Sequence, residues 1–540
     1  MDSDKACVIP LSKACSVVTP FRYFFIMKEK DWFRIKKYPH IGLPFENKDR
    51  QFVSSYVKDK NKIISHAFYP LIHRELSVRK FRRKRSDDGS RSSKRFISYK
   101  NREVFYATHL DALIYSYYAE LLNKHYEKFL KGKSVSESIT AYRKIKVDDT
   151  LNSRNKNNID FANDVFSYIE SNRNKKLVAI TFDITSFFDH LDHLILKKMW
   201  CKVLNNSHNL PDHHYAVFRN LTKFSYVEID ELFDEFKNEI IVRKDNGVVE
   251  KASVPNIHLL KEKNAIAFCK LEDFDKRIRK KNLIKNNKRV IDSSGKLTLR
   301  KKGIPQGSPI SAVLANIYLI DFDSDVNDFV RDLGGIYQRY SDDMVVIVEE
   351  KHRDSVIDKF KNEISKYKLE IQPSKTQIFY FKKFNGVYGC REFNLDTNSL
   401  IENRTFDYLG FSFDGKNVYL KSSGLAKYYR KMKRSFQRGA FYAKHGKNNE
   451  PKLFKNRLYK RFTYIGSSRR TIYERDSNNF DKWIPTNKYD WGNFLTYAEL
   501  AENIFGKGKI KHQVKNSWKI FHQLMEKKEI EIEKFHKNKK

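Results

Sequence analysis

Short apolar runs alternate with helically spaced apolar residues through the middle of the chain. Three runs have the length expected for buried strands, namely residues 177–182, 336–340 and 344–348. Apolar residues recur at helical spacing over 310–320, and a further helix is predicted around Phe360. Strand, helix and hairpin therefore alternate, which predicts a mixed α/β unit.

The flanking sequence predicts further elements of both kinds. Helical spacing covers 104–130 and 259–284, and residues 421–540 are predicted to be mainly helical. Turn signals follow a basic strand at 79–85 and also mark two hairpins, at Asn246-Gly247 and at Asp414-Gly415. In the second hairpin, the strands are predicted over 406–413 and 418–420.

The length of the chain indicates how many domains it can form, and its charge indicates the class of partner that it binds. A chain of 540 residues has room for about three or four compact units. Lys and Arg total 105 against 66 Asp and Glu, giving a net charge of +39, which favours a polyanion such as nucleic acid. With 40% hydrophobic residues, the chain is neither globally disordered nor collagen-like.

Cysteine usage and the N-terminal sequence indicate where the chain works. The five cysteines are scattered and form no C-x-x-C pair, which predicts a reducing cytoplasm and no structural zinc. No sustained apolar stretch occurs at the N-terminus or elsewhere. We therefore predict a cytoplasmic protein with neither a signal peptide nor a membrane span.

Carboxylates stand where two of the predicted strands end. Asp183 ends the first strand, and Asp342 and Asp343 follow the second. Brought to one sheet edge, they could hold two hard divalent cations, an arrangement that supports in-line phosphoryl transfer. An Asp-Asp pair after a strand is, however, more often a turn or a helix cap. The neighbouring motifs decide between these interpretations.

Five motifs occur in order along the chain. They are FDITSFFDH at 182–190, GIPQGSPIS at 303–311, YSDD at 340–343, IQPSKT at 371–376 and FDYLGF at 406–411. Together they resemble the successive palm motifs of reverse transcriptases, whereas any one alone would be weak evidence.

The resemblance implies a right-hand polymerase with an α/β (α+β) palm, fingers, a thumb and a helical C-terminal extension. We predict four regions: an N-terminal extension (1–75), fingers (76–180), a palm (181–420) and a basic helical thumb with the C-terminal extension (421–540). The palm is predicted to contain a folded insertion at about 201–302, a segment that we cannot align to the family.

Metal and proton chemistry are also implied by the resemblance. Asp183 and Asp342 would be the main ligands of two Mg²⁺ ions, or Mn²⁺, with Asp343 beside them and the backbone carbonyl of Ile184 contributing. Lys375 matches the lysine of its motif, where it would donate a proton to pyrophosphate or lie beside it as a cation. A solvated surface lysine is the alternative.

Three further residues are implied as nucleotide contacts. Phe188 matches the aromatic residue that excludes a 2′-hydroxyl, and Gln306 matches the glutamine that approaches the incoming nucleotide. Arg143 occupies the place of a fingers arginine that clamps the triphosphate, although the usual Gly and Pro around it are missing. The alternatives are that Phe187 and Phe188 are both core residues, that the Gln306 loop is an ordinary turn, and that Arg143 is a surface residue.

A basic segment follows the last motif, where a thumb belongs. Residues 421–461 contain fourteen Lys or Arg and one acid, Glu450, for a net charge of 14 − 1 = +13. We interpret them as helices that track a template–primer backbone, and the alternative is a solvated basic face. The residues selected for this contact are Lys427, Arg430, Lys431, Lys433 and Arg434.

The resemblance thus implies an RNA-directed DNA polymerase, a nucleotidyltransferase acting on an RNA template and nascent DNA. The chain also looks similar to bacterial antiphage defence enzymes, which implies a cognate noncoding RNA or self-priming and allows a homo-oligomer or a partner protein. Two alternatives remain open: a retron or group II intron-type enzyme, and a non-catalytic RNA-binding scaffold on a polymerase fold.

Overall fold

The computed structural model describes residues 32–85, 91–148, 154–205, 208–291, 295–395, 397–446, 452–466, 470–475, 483–490 and 492–538. Residues 1–31 of the predicted N-terminal extension lie outside the described residues, and these include Cys7 and Cys15. The other three cysteines, Cys201, Cys269 and Cys390, are buried and free. Within the described ranges, no helix is long and apolar enough to cross a membrane.

The strands occur throughout the described chain. They are β1 (His40–Ile41), β2 (Leu71–Arg85), β3 (Arg91–Tyr106), β4 (Leu177–Asp183), β5 (Ser225–Glu228), β6 (Ile240–Arg243), β7 (Val249–Ala252), β8 (Ala265–Cys269), β9 (Lys285–Asn286), β10 (Arg289–Ile291), β11 (Leu297–Leu299), β12 (Ile336–Tyr340), β13 (Asp343–Glu349), β14 (Gln377–Phe384), β15 (Val387–Asn394), β16 (Ser399–Ile401), β17 (Phe406–Tyr408), β18 (Phe411–Phe413), β19 (Val418–Leu420), β20 (Arg470–Arg475) and β21 (Trp483–Asp490).

The helices cover both faces of the central sheet and form most of the C-terminal part. They are α1 (Arg50–Lys58), α2 (Lys60–Ile64), α3 (His109–Leu130), α4 (Asn158–Ser171), α5 (Phe187–His190), α6 (His193–Val203), α7 (Asp212–Thr222), α8 (Ile229–Phe236), α9 (Ser311–Tyr318), α10 (Ile320–Asp332), α11 (Arg353–Lys366), α12 (Ser422–His445), α13 (Lys455–Phe462), α14 (Phe494–Phe505), α15 (Lys509–Val514) and α16 (Ser517–Lys537). The predicted mixed α/β class is confirmed.

A six-stranded antiparallel sheet, in the order β12-β13-β4-β14-β15-β16, forms the centre of the fold. Alternate residues of β4 enter two different cores. Val178, Ile180 and Phe182 pack in the core that contains α3, α6 and α9–α11, whereas Leu177 and Ala179 pack with α4, α14 and β17–β19. Because both faces of the strand are covered, its sequence is continuously apolar rather than alternating.

Two predicted elements are divided differently in the structure. The helix predicted over 104–130 begins only at His109, because residues 104–106 belong to β3 and Thr108 caps the helix by accepting a hydrogen bond from the Asp111 backbone. The strand predicted over 406–413 is two strands, β17 and β18. Leu409 (φ 44°) and Gly410 (φ 94°) adopt left-handed conformations that turn the chain between them.

The helix predicted over 259–284 is wrong. This segment contains β8 and a short π-helix at Phe274–Arg279. In β8 the backbone pairs with β1 on one side and β6 on the other, and Ala267 and Phe268 are buried there. The apolar spacing wrongly predicted a helix because strand pairing within a buried sheet outweighs the local preference of the sequence for a helix. The described residues between 201 and 302 also form α7, α8 and strands of three sheets.

Residues 421–540 contain the helices α12–α16, as predicted, but β20 and β21 also pair antiparallel there, which the sequence did not indicate. In α12, one stripe of residues is buried against α13 and α16: Tyr428, Met432, Phe436 and Ala440. The spacing of four residues places them on a single helix face. The opposite face of α12 is therefore available to solvent.

A buried ion pair joins α10 to β12. Arg339 and Asp323 have side chains that are both 0% exposed, with the Nη2 and Oδ2 atoms 2.5 Å apart. Asp323 also accepts a hydrogen bond from the Tyr337 hydroxyl, and Arg339 donates to the backbone carbonyl of Ser341. Each charge is thus fully paired inside the core, which is the condition for tolerating it there.

This pair predicts a large loss of stability when one partner is removed. Asp323→Ala should lower the free energy of unfolding by about 3–5 kcal/mol, because it leaves a buried guanidinium without its counter-ion. Asp321→Ala, on the same helix, is the control: it removes a partly exposed pair with Lys202 and should change stability by less than about 1 kcal/mol. Urea unfolding of both variants measures the difference, and equal losses would contradict a special role for the buried pair.

Candidate active site

Three carboxylates meet at one edge of the central sheet. β12 and β13 are joined through a tight turn at Ser341 and Asp342, and Ser341 adopts a left-handed conformation (φ 63°). In the register of the sheet, Asp343 lies directly opposite Asp183 at the end of β4. Residues that are separated by about 160 positions in sequence therefore become neighbours through strand pairing.

Asp343 has a shifted acidity. Burial of the carboxyl, and then the negative charges of Asp342 and Asp183, raise the pKa of Asp343 to about 6. Lys421 and Lys375 oppose this shift. Lys375 Nζ lies 2.5 Å from Asp183 Oδ1, so the ammonium group already provides one positive charge at the site.

The donor set fits hard divalent cations. Among the described residues, no group of three His, Cys, Asp or Glu side chains is arranged as a ready metal cluster. The available donors are nevertheless all oxygens, which Mg²⁺ and Mn²⁺ prefer, and bound cations would offset the repulsion between Asp343 and the carboxylates of Asp342 and Asp183. Ile184, the other implied ligand, is buried and bridges to Ile371 beside the same sheet edge.

A sharp turn after β4 separates the two adjacent phenylalanines. Ser186 has a left-handed backbone (φ 44°) and immediately precedes α5. Phe187 is 3% exposed and belongs to the main core, whereas Phe188 is only partly buried and packs at the margin of that core. The two side chains therefore have different environments, and the assignment of Phe188 as a nucleotide contact stays a prediction.

The Gln306 loop is hydrogen-bonded to the segment that carries Phe188. The Gly303 and Ile304 backbone amides donate to the carbonyls of Leu191 (2.8 Å) and Phe188 (3.0 Å). On its other side, the Gln306 carbonyl accepts a hydrogen bond from the Phe105 amide of β3 at 2.8 Å. Strand β3 thus anchors the loop opposite the segment that follows Asp183.

Close approach of β3 explains a glycine in this loop. Gly307 has a φ of +109°, and a Cβ atom added there would lie 2.7 Å from the Phe105 carbonyl oxygen. Both the backbone conformation and the lack of space therefore require glycine. The loop backbone is therefore restrained by its hydrogen bonds and by the close approach of β3. It places the Gln306 side chain beside Asp189.

Unlike Phe188 and Gln306, Arg143 has a side chain that is buried and paired with another residue of the protein. Its side chain is 4% exposed and forms a bidentate ion pair with Glu127. The same guanidinium donates to the Ile139 carbonyl at 2.8 Å. A triphosphate contact would require it to leave these partners, so in this structure Arg143 stabilises the fold around residues 136–143. The sequence did not reveal this, because Glu127 lies on a separate helix.

The five selected thumb residues all lie on the exposed part of α12, opposite its buried stripe. Just before α12, Lys421 forms an ion pair with Asp407 at 3.2 Å. A cleft of about 930 Å³ is lined by Asp183, Asp343, Lys375, Asp407 and Lys421, among other residues. It therefore extends from the carboxylates to the start of α12. Sequence reasoning did not single out Lys421 as a separate site residue.

Arg339 is a second residue that sequence reasoning missed. Its guanidinium lies behind the turn between β12 and β13 and donates to the Ser341 carbonyl at 3.1 Å. A signal was present, because an arginine inside a predicted buried strand requires an acidic partner. The partner, Asp323, could not be identified from sequence spacing, since other acidic residues surround it in α10.

Comparisons with known proteins identify a domain within this fold. Residues 255–413 match the family described as Reverse transcriptase (RNA-dependent DNA polymerase). The matched range includes the Gln306 loop, Asp342, Asp343 and Lys375, whereas Asp183 precedes it. No curated protein matches the chain.

Solved structures of telomerases show a distant similarity. Apo telomerase from Candida tropicalis aligns with a TM-score of 0.34 and 14% identity, covering 73% of this chain and 57% of that chain. Telomerase from Candida albicans, in complex with a TWJ fragment of telomeric RNA, gives 0.31 and 14%, covering 75% and 58%. The chain therefore spans less than two thirds of these telomerases.

The family match and the ordered motifs agree on the same part of the chain. The match contains four of the five motifs, and strand pairing joins the remaining one, with Asp183, to the matched region. The chain therefore carries a segment, residues 255–413, that matches the reverse transcriptase family.

Proposed function

We propose that this chain copies an RNA template into DNA by adding deoxynucleotides at a site that holds two divalent cations. The observation that supports this most strongly is the sheet register, which brings Asp183 and Asp343 together with Asp342 at the adjoining turn. Bound Mg²⁺ or Mn²⁺ would activate the attacking 3′-hydroxyl and stabilise the leaving oxygen. The three carboxylates and the carbonyl of Ile184 are the groups that we propose to hold these ions.

The remaining side chains would bind and orient the substrates. Gln306 lies on the fixed loop beside the segment of Phe188, so the two residues can contact the same nucleotide. The Phe188 ring would then occupy the volume that a 2′-hydroxyl needs. Lys375 is 45% exposed beside Asp183, which is a suitable position for giving a proton to departing pyrophosphate.

We further propose a biological setting in the bacterial cytoplasm, as an antiphage enzyme with a cognate noncoding RNA or a self-supplied primer. This proposal is supported by the sequence resemblance and by the helical C-terminal extension. That extension is fixed to the polymerase core, since the Tyr497 hydroxyl of α14 accepts a hydrogen bond from Asn158 of α4 at 2.9 Å. Sequencing the nucleic acid that co-purifies with the chain distinguishes a dedicated RNA from a mixed population of transcripts.

The metal-ligand assignment predicts the effect of removing one carboxylate charge. Asp183→Asn and Asp342→Asn should each reduce nucleotide incorporation by about a thousandfold or more, because each removes an anionic ligand from the cation site. Their thermal unfolding temperatures should not fall, since the substitution also relieves repulsion among the carboxylates. Asp332→Asn, at an exposed position of α10, is the control. Near-normal incorporation by a folded Asp342→Asn variant would contradict the assignment.

Sugar selection gives a separate prediction. Phe188→Ala should allow detectable ribonucleotide incorporation, because it opens the space beside the sugar, whereas the wild type should strongly prefer deoxynucleotides. Phe187→Ala, a change in the core, should instead lower stability by about 3–5 kcal/mol without relaxing sugar choice. Incorporation of both nucleotide types is compared on one template–primer. Relaxed selection in Phe187→Ala alone would show that the two roles are reversed.

Template–primer binding should depend on the exposed face of α12. Replacing Lys427, Arg430, Lys431, Lys433 and Arg434 with Gln should weaken binding and reduce its salt dependence. Each phosphate that the protein no longer neutralises should lower the log–log slope by about 0.9 for a B-form duplex. Five Gln substitutions at Lys237, Lys244, Lys263, Lys270 and Lys276, which are exposed lysines between α8 and β9, provide a charge-matched control. Equal slopes for the two variants would indicate that α12 contacts no phosphates.

A further inference from the structure

Left-handed backbone conformations cluster around the active site. Apart from Gly and Asn, which adopt them readily, five described residues have a positive φ: Tyr142, Ser186, Ser341, Lys368 and Leu409. Ser186 and Ser341 belong to the turns that follow β4 and β12, and Leu409 lines the cleft. Such strain persists where surrounding contacts impose it, and it often marks a functional site.

Tyr142 is the bulkiest of these residues, with a φ of 63°. The residues on either side are held firmly. The Ala141 carbonyl accepts a hydrogen bond from Asn316 Nδ2 at 2.9 Å, and the Arg143 guanidinium is paired with Glu127. Tyr142 itself is 53% exposed, in contrast to its buried neighbours. The fold thus fixes an exposed aromatic ring in an unfavourable backbone conformation, although packing of the ring does not require it.

The Tyr142 ring lies beside the catalytic turn. Its hydroxyl donates to Ser341 Oγ at 3.4 Å, and Ser341 directly precedes Asp342. Residues 138–140 reach this position by pairing with β12, since the Arg339 amide donates to the Ser138 carbonyl and the Thr140 amide donates to the Arg339 carbonyl. The segment therefore runs along the edge of the central sheet and places Tyr142 next to the carboxylates.

We propose that Tyr142 is a nucleotide-contacting residue, whose exposed ring packs against the nucleotide held next to Asp342. This inference rests on the proposed function and adds a substrate contact to it. An aromatic ring suits the role because every nucleobase has a flat apolar face, so contact does not depend on base identity. The arginine that the sequence suggested for nucleotide binding, Arg143, instead clamps the backbone that presents this tyrosine.

Asparagine provides a sharp test because it accepts a positive φ more readily than tyrosine does. Tyr142→Asn should therefore leave the thermal unfolding temperature unchanged or raise it, while kcat/KM for nucleotide addition falls roughly tenfold or more. Tyr142→Gly, which also tolerates this conformation, should behave in the same way. Tyr142→Phe keeps the ring and should retain most of the activity. Tyr215→Asn, at another exposed tyrosine on α7, is the control for losing a ring away from the site and should leave kcat/KM unchanged.

The same assay identifies which nucleotide the ring contacts. A raised KM for the deoxynucleotide indicates the incoming nucleotide, whereas a raised Kd for template–primer indicates the primer end, and either result supports the inference. If the wild type adds nucleotides and Tyr142→Asn matches it, the inference is wrong and the proposed function stands. Loss of activity accompanied by a lower unfolding temperature would indicate a structural role and would also overturn it. A wild type that adds no nucleotide would overturn both.

Discussion

The buried ion pair between Arg339 and Asp323 is the interaction on which the geometry of the site depends. Arg339 bonds Asp323 of α10 behind the sheet and the Ser341 carbonyl at the catalytic turn. Its own backbone holds residues 138–140 in place on the sheet edge. One arginine thus fixes both the turn that carries Asp342 and the segment that carries Tyr142. Because an unpaired charge in the core is strongly unfavourable, this arrangement tolerates little movement.

Rigid positioning extends to the nucleotide side of the site. The Gln306 loop is bonded to the Phe188 segment and to β3, so three parts of the chain that are distant in sequence form one surface. The left-handed turns at Ser186 and Ser341 direct the chain sharply away from the strand ends. Local strain is therefore maintained by hydrogen bonds around the carboxylates, as expected where catalytic groups must be held in fixed positions.

The sequence predicted those features that local composition determines. Strands β4 and β13 could be predicted because burial on both faces produces nearly continuous apolar runs, and the exposed cations of α12 could be predicted from its helical spacing. Long-range pairing could not be predicted. Residues 265–269 form a strand only because β1 and β6 lie on either side, and the Arg143 side chain is buried where it pairs with Glu127 of α3. The position of Tyr142 depends on backbone conformation, which no spacing pattern encodes.

Template-directed synthesis is the central claim, and product sequencing tests it most directly. The purified wild-type chain is supplied with a defined RNA template, an annealed DNA primer, deoxynucleotides and Mg²⁺, and the extended strands are sequenced. We predict DNA complementary to the RNA, with the primer extended at its 3′-end. Absence of extension on this and on other RNA templates, or products whose sequence does not follow the template, would contradict the account.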